Sequence, residues 1–207
     1  REVIYRYLAD EVVGKQPPEL QHFMVHTSIL PEMTIELCND LLEMTEAQTY
    51  IEALVHNDLF IAQVGTGYRY HDLFAEFLRR KLAQDQTMHY QIVTKAATLL
   101  ANRSRHEEAV NLYLSVQAWA DAANLLETRG KFFYDTGRAL TVNQWLTQIS
   151  EQELTQHPRL LLLQGQILNY DMGEPEQAES YFKRAEEEFR RQDNLIAAAE
   201  TQVWRSL

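Results

Sequence analysis

A histidine and a carboxylate stand side by side at His71 and Asp72, within the stretch Tyr-Arg-Tyr-His-Asp-Leu-Phe-Ala-Glu-Phe-Leu at residues 68–78. An apolar stripe of helical spacing starts directly after them, so a helix is predicted to begin there. Free N–H groups at such an end favour an anion, and a histidine beside them can donate to a phosphate oxygen. In the simpler alternative, Asp72 caps the helix and His71 packs on the preceding hairpin. The residues alone leave both interpretations open.

Other side chains with potential chemistry are interpreted as structural. His22 and His26 are one helical turn apart, as zinc ligands can be, but apolar residues lie between them and we predict no metal site. Cys38 is the only cysteine, and it continues an apolar helical face, so we expect it to pack as a small hydrophobic side chain. No nucleophile motif or pair of carboxylates with separated pKa values is recognisable, and no catalytic residue is predicted.

The His71 and Asp72 pair separates two kinds of predicted architecture. Upstream, four apolar stripes of helical spacing precede two strand-like runs, Leu59–Val64 and Tyr68–Tyr70. Thr45 is expected to cap the fourth helix, and the glycines of Gly65-Thr66-Gly67 to supply the positive φ of a tight turn. Helices followed by one small hairpin are typical of a winged-helix module, which we predict for residues 1–86.

Downstream, small residues recur at separations that suit pairs of closely packed helices. Two such sets are offset by about two periods of the ~34-residue tetratricopeptide repeat: Ala97, Leu100, Ala109 and Tyr113, then Gly165, Leu168, Ala178, Phe182 and Ala185. The predicted fold is therefore mainly α, with a TPR-like right-handed helical-repeat array at residues 87–207. The first helices of such pairs form a concave face that can bind an effector, and Gln164, Asn169 and Tyr170 are placed nearest to it. The alternative is that the array is only a spacer.

The charge distribution excludes one common role of a winged helix. The net charge is −11, and no lysine or arginine occurs from Gln16 to Tyr68, a stretch that carries eight Asp and Glu residues. The helix before the hairpin would read DNA, yet it contains Glu46 and Glu52 and no cation. We therefore reject direct DNA binding by this module. No apolar run approaches the ~18 residues of a membrane span, and a single cysteine favours a reducing, cytoplasmic setting.

Tyr70-His71-Asp72-Leu73 resembles the Met-His-Asp-type motif in the winged-helix domain of STAND-class signalling ATPases. The wider stretch 68–78, with Pro17-Pro18-Glu19-Leu20 and Thr27-Ser28-Ile29-Leu30, is similar to bacterial MalT-type regulators. The resemblance implies an ATPase module, a winged helix, a helical-repeat sensor and usually a LuxR-type DNA-binding end. It also implies that the histidine contacts the β-phosphate of bound ADP. Tyr70 replaces the methionine of the motif, so His71 is the residue to which the resemblance assigns the role known in the family.

These observations predict a non-catalytic regulatory piece of a longer transcriptional regulator. None of its glycines lies in a phosphate-binding loop, so ATP or ADP is expected only in the whole protein, on an upstream nucleotide-binding domain. His71 and Asp72 are the predicted nucleotide-sensing residues. The other expected partner is a small-molecule or protein effector on the repeats. The alternatives are a TPR-like protein-interaction scaffold and, against the charge evidence, a stand-alone winged-helix DNA binder.

Overall fold

A computed structural model describes residues 7–206, which are mainly helical with one two-stranded hairpin. The chain divides into two compact units, Arg1–Arg103 and Ser104–Leu207. The first unit contains, in chain order, the elements π-helical α1 Leu8–Val13, α2 Pro18–Thr27, α3 Ile35–Leu42, α4 Ala47–His56, β1 Ile61–Val64, β2 Gly67–Tyr70, α5 Asp72–Leu82 and α6 Gln86–Asn102. The part of the first predicted stripe before residue 7 lies outside the described residues. The mainly α fold class, with a single hairpin after four helices, is confirmed.

The hairpin strands β1 and β2 pair antiparallel, with Ile61 opposite Tyr70. The first strand begins two residues later than predicted because Phe60 has a φ of 51°, which a strand cannot accommodate. Gly65 supplies the predicted positive φ at the turn. Gly67 serves a different purpose, since a Cβ there would lie 2.8 Å from the Met33 carbonyl oxygen.

A third chain segment extends this small sheet by one residue pair. The Met33 N–H donates to the Tyr68 carbonyl at 2.7 Å, and the Tyr68 N–H donates back at 2.8 Å. The segment between α2 and α3 is therefore held against β2, which lies between it and β1. Because Gly67 lies next to this pair, the absence of its side chain permits the close approach.

Side chains cap two helix starts of the first unit. The third helix begins at Ile35, and the Thr34 hydroxyl caps it by accepting from the Leu37 N–H at 3.2 Å. The predicted Thr45 cap of α4 is wrong. Instead, the side-chain oxygen of Asn39 accepts from the Ala47 N–H at 3.0 Å, so that α3 supplies the cap for the next helix.

Helix α6 belongs to the first unit, although the sequence assigned it to the repeats. Its buried face consists of Val93, Ala96, Ala97 and Leu100, and it packs on α3 and α5. Ion pairs from Lys95 to Glu43, at 2.7 Å, and from Arg103 to Asp40 add to this contact. The compact units thus divide one helix later than the predicted division between residues 86 and 87.

The second unit is entirely helical among the residues described. Its elements are α7 His106–Ser115, α8 Trp119–Asp135, α9 Ala139–Leu146, α10 Glu151–Gln156, α11 Pro158–Gln166 with its π-helical continuation Ile167–Asp171, α12 Pro175–Arg191 and α13 Leu195–Ser206. Helix α8 runs unbroken through Gly130. It ends near Gly137, whose φ of 82° is favourable only for glycine.

Close helix packing in this unit depends on small residues, as the second predicted set suggests. A Cβ at Gly165 of α11 would lie 2.6 Å from the Phe182 ring of α12. Ala178 and Ala185 of α12 are also buried. The first predicted set does not form one repeat within a unit, because Ala97 and Leu100 belong to the first unit while Ala109 and Tyr113 belong to the second.

Candidate functional site

His71 occupies the junction between β2 and α5 with its side chain exposed. Its backbone N–H donates to the Phe60 carbonyl at 2.8 Å, and its carbonyl accepts from the Ala75 N–H at 2.9 Å. Both backbone groups are therefore fixed, while the imidazole makes no capping hydrogen bond. Its ring lies edge-on to Phe60 at a centroid distance of 6.2 Å. The fold thus holds the backbone rigidly and leaves the ring nitrogens available.

The core behind this junction is aromatic and tightly packed. The buried Tyr70 hydroxyl lies 3.0 Å from the Thr27 hydroxyl of α2, which itself donates to the Phe23 carbonyl at 2.7 Å. Burial raises the pKa of Tyr70 well above its usual value, so the phenol stays neutral. Phe74, one turn into α5, packs against the Tyr70 ring. These contacts in the core fix the position of the adjacent residue His71.

Asp72 does not cap α5, so the simpler alternative for this residue is wrong. Its carboxylate is 91% exposed and pairs instead with the Arg69 guanidinium at 3.2 Å. Position 72 is the first residue of the helix, whereas a capping side chain belongs one position earlier. The carboxylate therefore partly neutralises a cation beside His71 and leaves the first-turn N–H groups of α5 without a side-chain cap.

A second cation lies near the same junction. Arg69, Asp72 and Arg79 line one cavity of about 380 Å³, and Arg69, His71 and Asp72 line an adjoining one of similar volume. The Arg79 Nε donates to the Ser28 carbonyl at 2.8 Å, which fixes the guanidinium. Partial desolvation, followed by the charge of Arg69, lowers the pKa of Arg79, yet an arginine stays cationic at neutral pH. Arg69 and the N-terminus of α5 thus favour an anion next to His71, whereas Asp72 opposes it; in the first cavity Arg79 adds a positive charge and Glu76 a negative one.

The sequence interpretation missed both arginines as parts of this site. Arg69 lies only two residues before His71, so its proximity could be read from the sequence. Arg79 follows Asp72 by seven residues, which is two helical turns and places both on one side of α5. The spacing of Arg69 and Arg79 from the His71–Asp72 pair could therefore have indicated both residues. The contact between Arg79 and Ser28 could not be predicted, because Ser28 lies far away in the sequence.

Two of the residues interpreted as structural, Cys38 and His26, are buried. Cys38 is fully buried, and burial raises the pKa of its thiol to about 12. The His26 Nδ1 is hydrogen-bonded to the His22 carbonyl at 2.7 Å, and the buried Nε2 has no hydrogen-bond partner among the described residues. No cluster of three metal-ligand side chains occurs among residues 7–206. Over the same span, no helix combines the length and apolar character required to cross a bilayer.

The three predicted effector residues do not share one surface. Gln164 is only 2% exposed, and its Nε2 donates to the Asn143 side-chain oxygen of α9 at 2.6 Å. Asn169 is half-buried, whereas Tyr170 is 47% exposed and packs edge-on against Trp204 of α13. Their role in effector binding stays a prediction, and the burial of Gln164 speaks against direct contact with an effector.

Residues 9–90 match the family model of the MalT winged helix domain. Over most of its length, the first unit is therefore similar to the MalT winged helix domain. The resemblance to MalT-type transcriptional regulators, drawn from the residues around His71, is confirmed. The matched range includes α2 to α5 together with the β1–β2 hairpin, and hence the whole junction that carries His71.

Curated relatives extend the similarity beyond the winged helix. The chain is 25% identical over 169 residues to the HTH-type transcriptional regulator MalT of Vibrio campbellii, covering 78% of this chain and 18% of the relative. It is 26% identical over 167 residues to MalT of Vibrio cholerae, with the same coverage. The serine/threonine-protein kinase PknK of Mycobacterium tuberculosis is 26% identical over 130 residues, which cover 61% of this chain and 12% of the kinase. The chain thus spans less than a fifth of the length of these relatives.

Proposed function

We propose that this chain is a non-catalytic regulatory segment of an ATP-dependent MalT-like transcriptional regulator. In this proposal, the MalT winged helix domain senses the nucleotide on an upstream ATPase domain, and the second unit binds an effector. His71 contacts the β-phosphate of ADP and so favours the resting state. The similarity to MalT supports the regulatory part of the proposal, and the His71 geometry supports the nucleotide contact.

The observation that carries the proposal is the uncommitted imidazole of His71. Its backbone is fixed by hydrogen bonds to Phe60 and Ala75, but its side chain makes no capping bond and points from an exposed position. A side chain serving only to stabilise the fold would be expected to use its polar atoms within the fold. This arrangement suits a donor whose acceptor lies on another domain.

The surroundings of His71 suit a phosphate. The first-turn N–H groups of α5 are uncapped by a side chain, and Arg69 and Arg79 provide positive charge. Asp72 opposes an anion, but it is bound to Arg69 and highly exposed to solvent, which weakens its field. In this site, His71 would hold the phosphate by a hydrogen bond, while the arginines would attract it electrostatically.

The relay requires an effector to favour the state in which the His71 contact is lost. A ligand shifts such an equilibrium only by its differential affinity for the two states. An effector that binds the second unit more tightly when the nucleotide contact is broken therefore promotes ADP release. Thermodynamic linkage demands the reverse effect as well, so bound ADP lowers effector affinity by the same factor.

DNA contact is assigned to another part of the protein. The helix α4, which precedes the hairpin and would read a duplex, carries no lysine or arginine. Duplex binding depends on such cations to displace counterions from phosphates. The acidic character of the module opposes direct contact with DNA.

The test uses the whole regulator with His71→Ala, and His56→Ala as a matched control. His56 is a second exposed histidine of the same unit, at the end of α4. We expect the His71 variant to purify with less bound ADP and to activate its target genes with less dependence on effector. The control should behave like the wild type. Equal ADP content in all three proteins would remove the assigned role of His71.

A further inference from the structure

A groove of about 270 Å³ lies within the second unit, lined by residues of α8, α11 and α13 together with one from α12. We call it the inner groove. Its floor is apolar and consists of buried side chains: Leu126, Leu160, Leu162, Leu163 and Phe189. The indole of Trp204 forms part of the wall from α13. A ligand with an apolar body would therefore bury it here.

Polar groups line the same groove without partners in the fold. Neither the Arg159 guanidinium, the Gln166 amide nor the Glu200 carboxylate makes a side-chain hydrogen bond or ion pair with another residue of the span 7–206. Only 7% of Gln166 is exposed, and its amide atoms are reached from the groove. Buried polar side chains are normally hydrogen-bonded within the protein or to water. The Gln166 amide can be paired only by solvent or by a ligand in the groove.

The other charged side chains of the groove have partners within the fold. The Glu127 carboxylate lies 3.2 Å from the Nδ1 of the buried His157, and the Lys131 ammonium lies 2.7 Å from Asp135. Arg159 and Glu200 are therefore the two uncommitted charges, one of each sign. A ligand with one carboxylate and one ammonium group complements both, whereas a simple anion or cation would leave one charge opposed.

We propose that the inner groove binds a short apolar peptide with free ends, of about dipeptide size. Its carboxylate pairs with Arg159, its ammonium with Glu200, and its apolar side chains contact the leucine floor and Trp204. The amide of Gln166 offers both a donor and an acceptor, as a peptide bond requires. The volume lies just below the ~300 Å³ at which sites for drug-sized ligands begin, so a ligand much larger than a dipeptide would extend into solvent.

This inference deepens the proposed function, because it assigns a chemical class to the effector. It rests on that function only for its biological meaning. Binding to the inner groove is measured on this chain without nucleotide or DNA, and His71 takes no part in it. If no peptide binds, the proposed role of His71 is unaffected. If the His71 variant behaves like the wild type, the proposed peptide site is still tested by the binding measurement.

The test is titration of the 207-residue chain with the dipeptides Leu-Leu and Leu-Phe, followed by calorimetry and by tryptophan emission. We expect saturable binding by at least one of them, with an emission change that Trp204→Phe removes. N-acetyl-Leu-Leu amide has the same apolar side chains but no charged ends, and should bind at least about tenfold more weakly. Absence of saturable binding up to about 10 mM of either dipeptide would overturn the proposal, since a site with weaker affinity contributes little selectivity.

Variants locate the binding site. Arg159→Gln and Glu200→Gln change exposed side chains and should each weaken dipeptide binding about tenfold, as loss of one charge-assisted hydrogen bond predicts. Arg129→Gln and Glu187→Gln are the matched controls, since both residues are exposed in the same unit but do not line the groove. Circular dichroism confirms that each variant is folded. Equal affinity of the groove variants and the controls would place binding elsewhere and refute the assignment.

Discussion

The two units differ in the contacts that hold their segments together. In the first, side-chain and backbone hydrogen bonds join distant segments, as Tyr70 does with Thr27 and Tyr68 with Met33. In the second, helices approach closely where a side chain is missing, as at Gly165 against Phe182. In the first unit, hydrogen bonds fix the backbone direction at His71. In the second unit, the packed helices leave the inner groove between them. The first unit can therefore present a single oriented histidine, and the second a cavity.

The largest effect should come from filling the helix contact of the second unit. Gly165→Val places atoms where the Phe182 ring lies, and overpacking of this kind costs about 3 kcal/mol. All three tryptophans, Trp119, Trp145 and Trp204, belong to the second unit, so their emission during urea unfolding reports on it directly. We expect a clearly lower midpoint of the tryptophan transition.

The control for this change is Ala199→Val, at an exposed position of α13, which should alter the midpoint little. Hydrogen exchange of α2 and β2 should remain close to that of the wild type, because the contact lies within the other unit. A Gly165→Val protein with unchanged stability would show that close approach of α11 and α12 does not hold the second unit together.

The first unit should respond less strongly to loss of its connecting hydrogen bond. Tyr70→Phe keeps the ring but removes the hydroxyl that lies 3.0 Å from Thr27. The Thr27 hydroxyl retains its bond to Phe23, so we expect a loss of about 1 kcal/mol. Faster hydrogen exchange in α2 and β2, with an unchanged tryptophan transition, is the expected signature. Tyr68→Phe is the control, because among residues 7–206 no hydrogen bond to its hydroxyl is present.

The smallest effect concerns an ion pair on the surface of the second unit. Arg205 of α13 contacts Glu179 of α12 through two nitrogens, at 2.7 and 3.1 Å, and this hydrogen bonding is the main cause of the lowered pKa of Glu179. Arg205→Gln should therefore cost no more than about 1 kcal/mol at pH 7.

The pH dependence of this effect has a defined sign. A carboxylate whose pKa is lowered by folding stabilises the fold above its unfolded pKa, near 4.3, and loses this contribution as the pH falls through its folded pKa. The difference in melting temperature between the wild type and Arg205→Gln should thus shrink below about pH 4. Arg129→Gln, at an exposed residue without an ion pair among residues 7–206, should show no such difference. A constant difference from pH 7 to pH 3 would contradict the ion-pair account.

In the first unit, local sequence patterns predicted the helices and the hairpin but not the contacts between them. Periodicity located α2, α5 and the hairpin, and the motif around His71 indicated the family. The prediction that Thr45 caps α4 failed because the residue that caps this helix, Asn39, belongs to α3. The same limitation hid Arg79, whose position depends on Ser28. Contacts between segments far apart in sequence leave no periodic signal in a single chain.

In the second unit, small residues were identified correctly but helix faces were not. Gly165 packs against Phe182 as the spacing suggested, whereas Gln164 was assigned to the concave side and is buried against Asn143. One residue along a helix changes the direction of a side chain by about 100°. Gln166, two positions away, lines the inner groove instead. A shift of one or two positions therefore decides whether a side chain is buried or lines a groove.

The most direct test of the account is the rate at which the whole regulator releases a fluorescent ADP analogue. A hydrogen bond from His71 to a charged phosphate contributes about 1.5–3 kcal/mol, so His71→Ala should release the analogue roughly 10- to 100-fold faster. His71→Gln, which keeps a donor, should lie between the alanine variant and the wild type, and His56→Ala should match the wild type. Equal release rates for the wild type and His71→Ala would contradict nucleotide sensing by this residue.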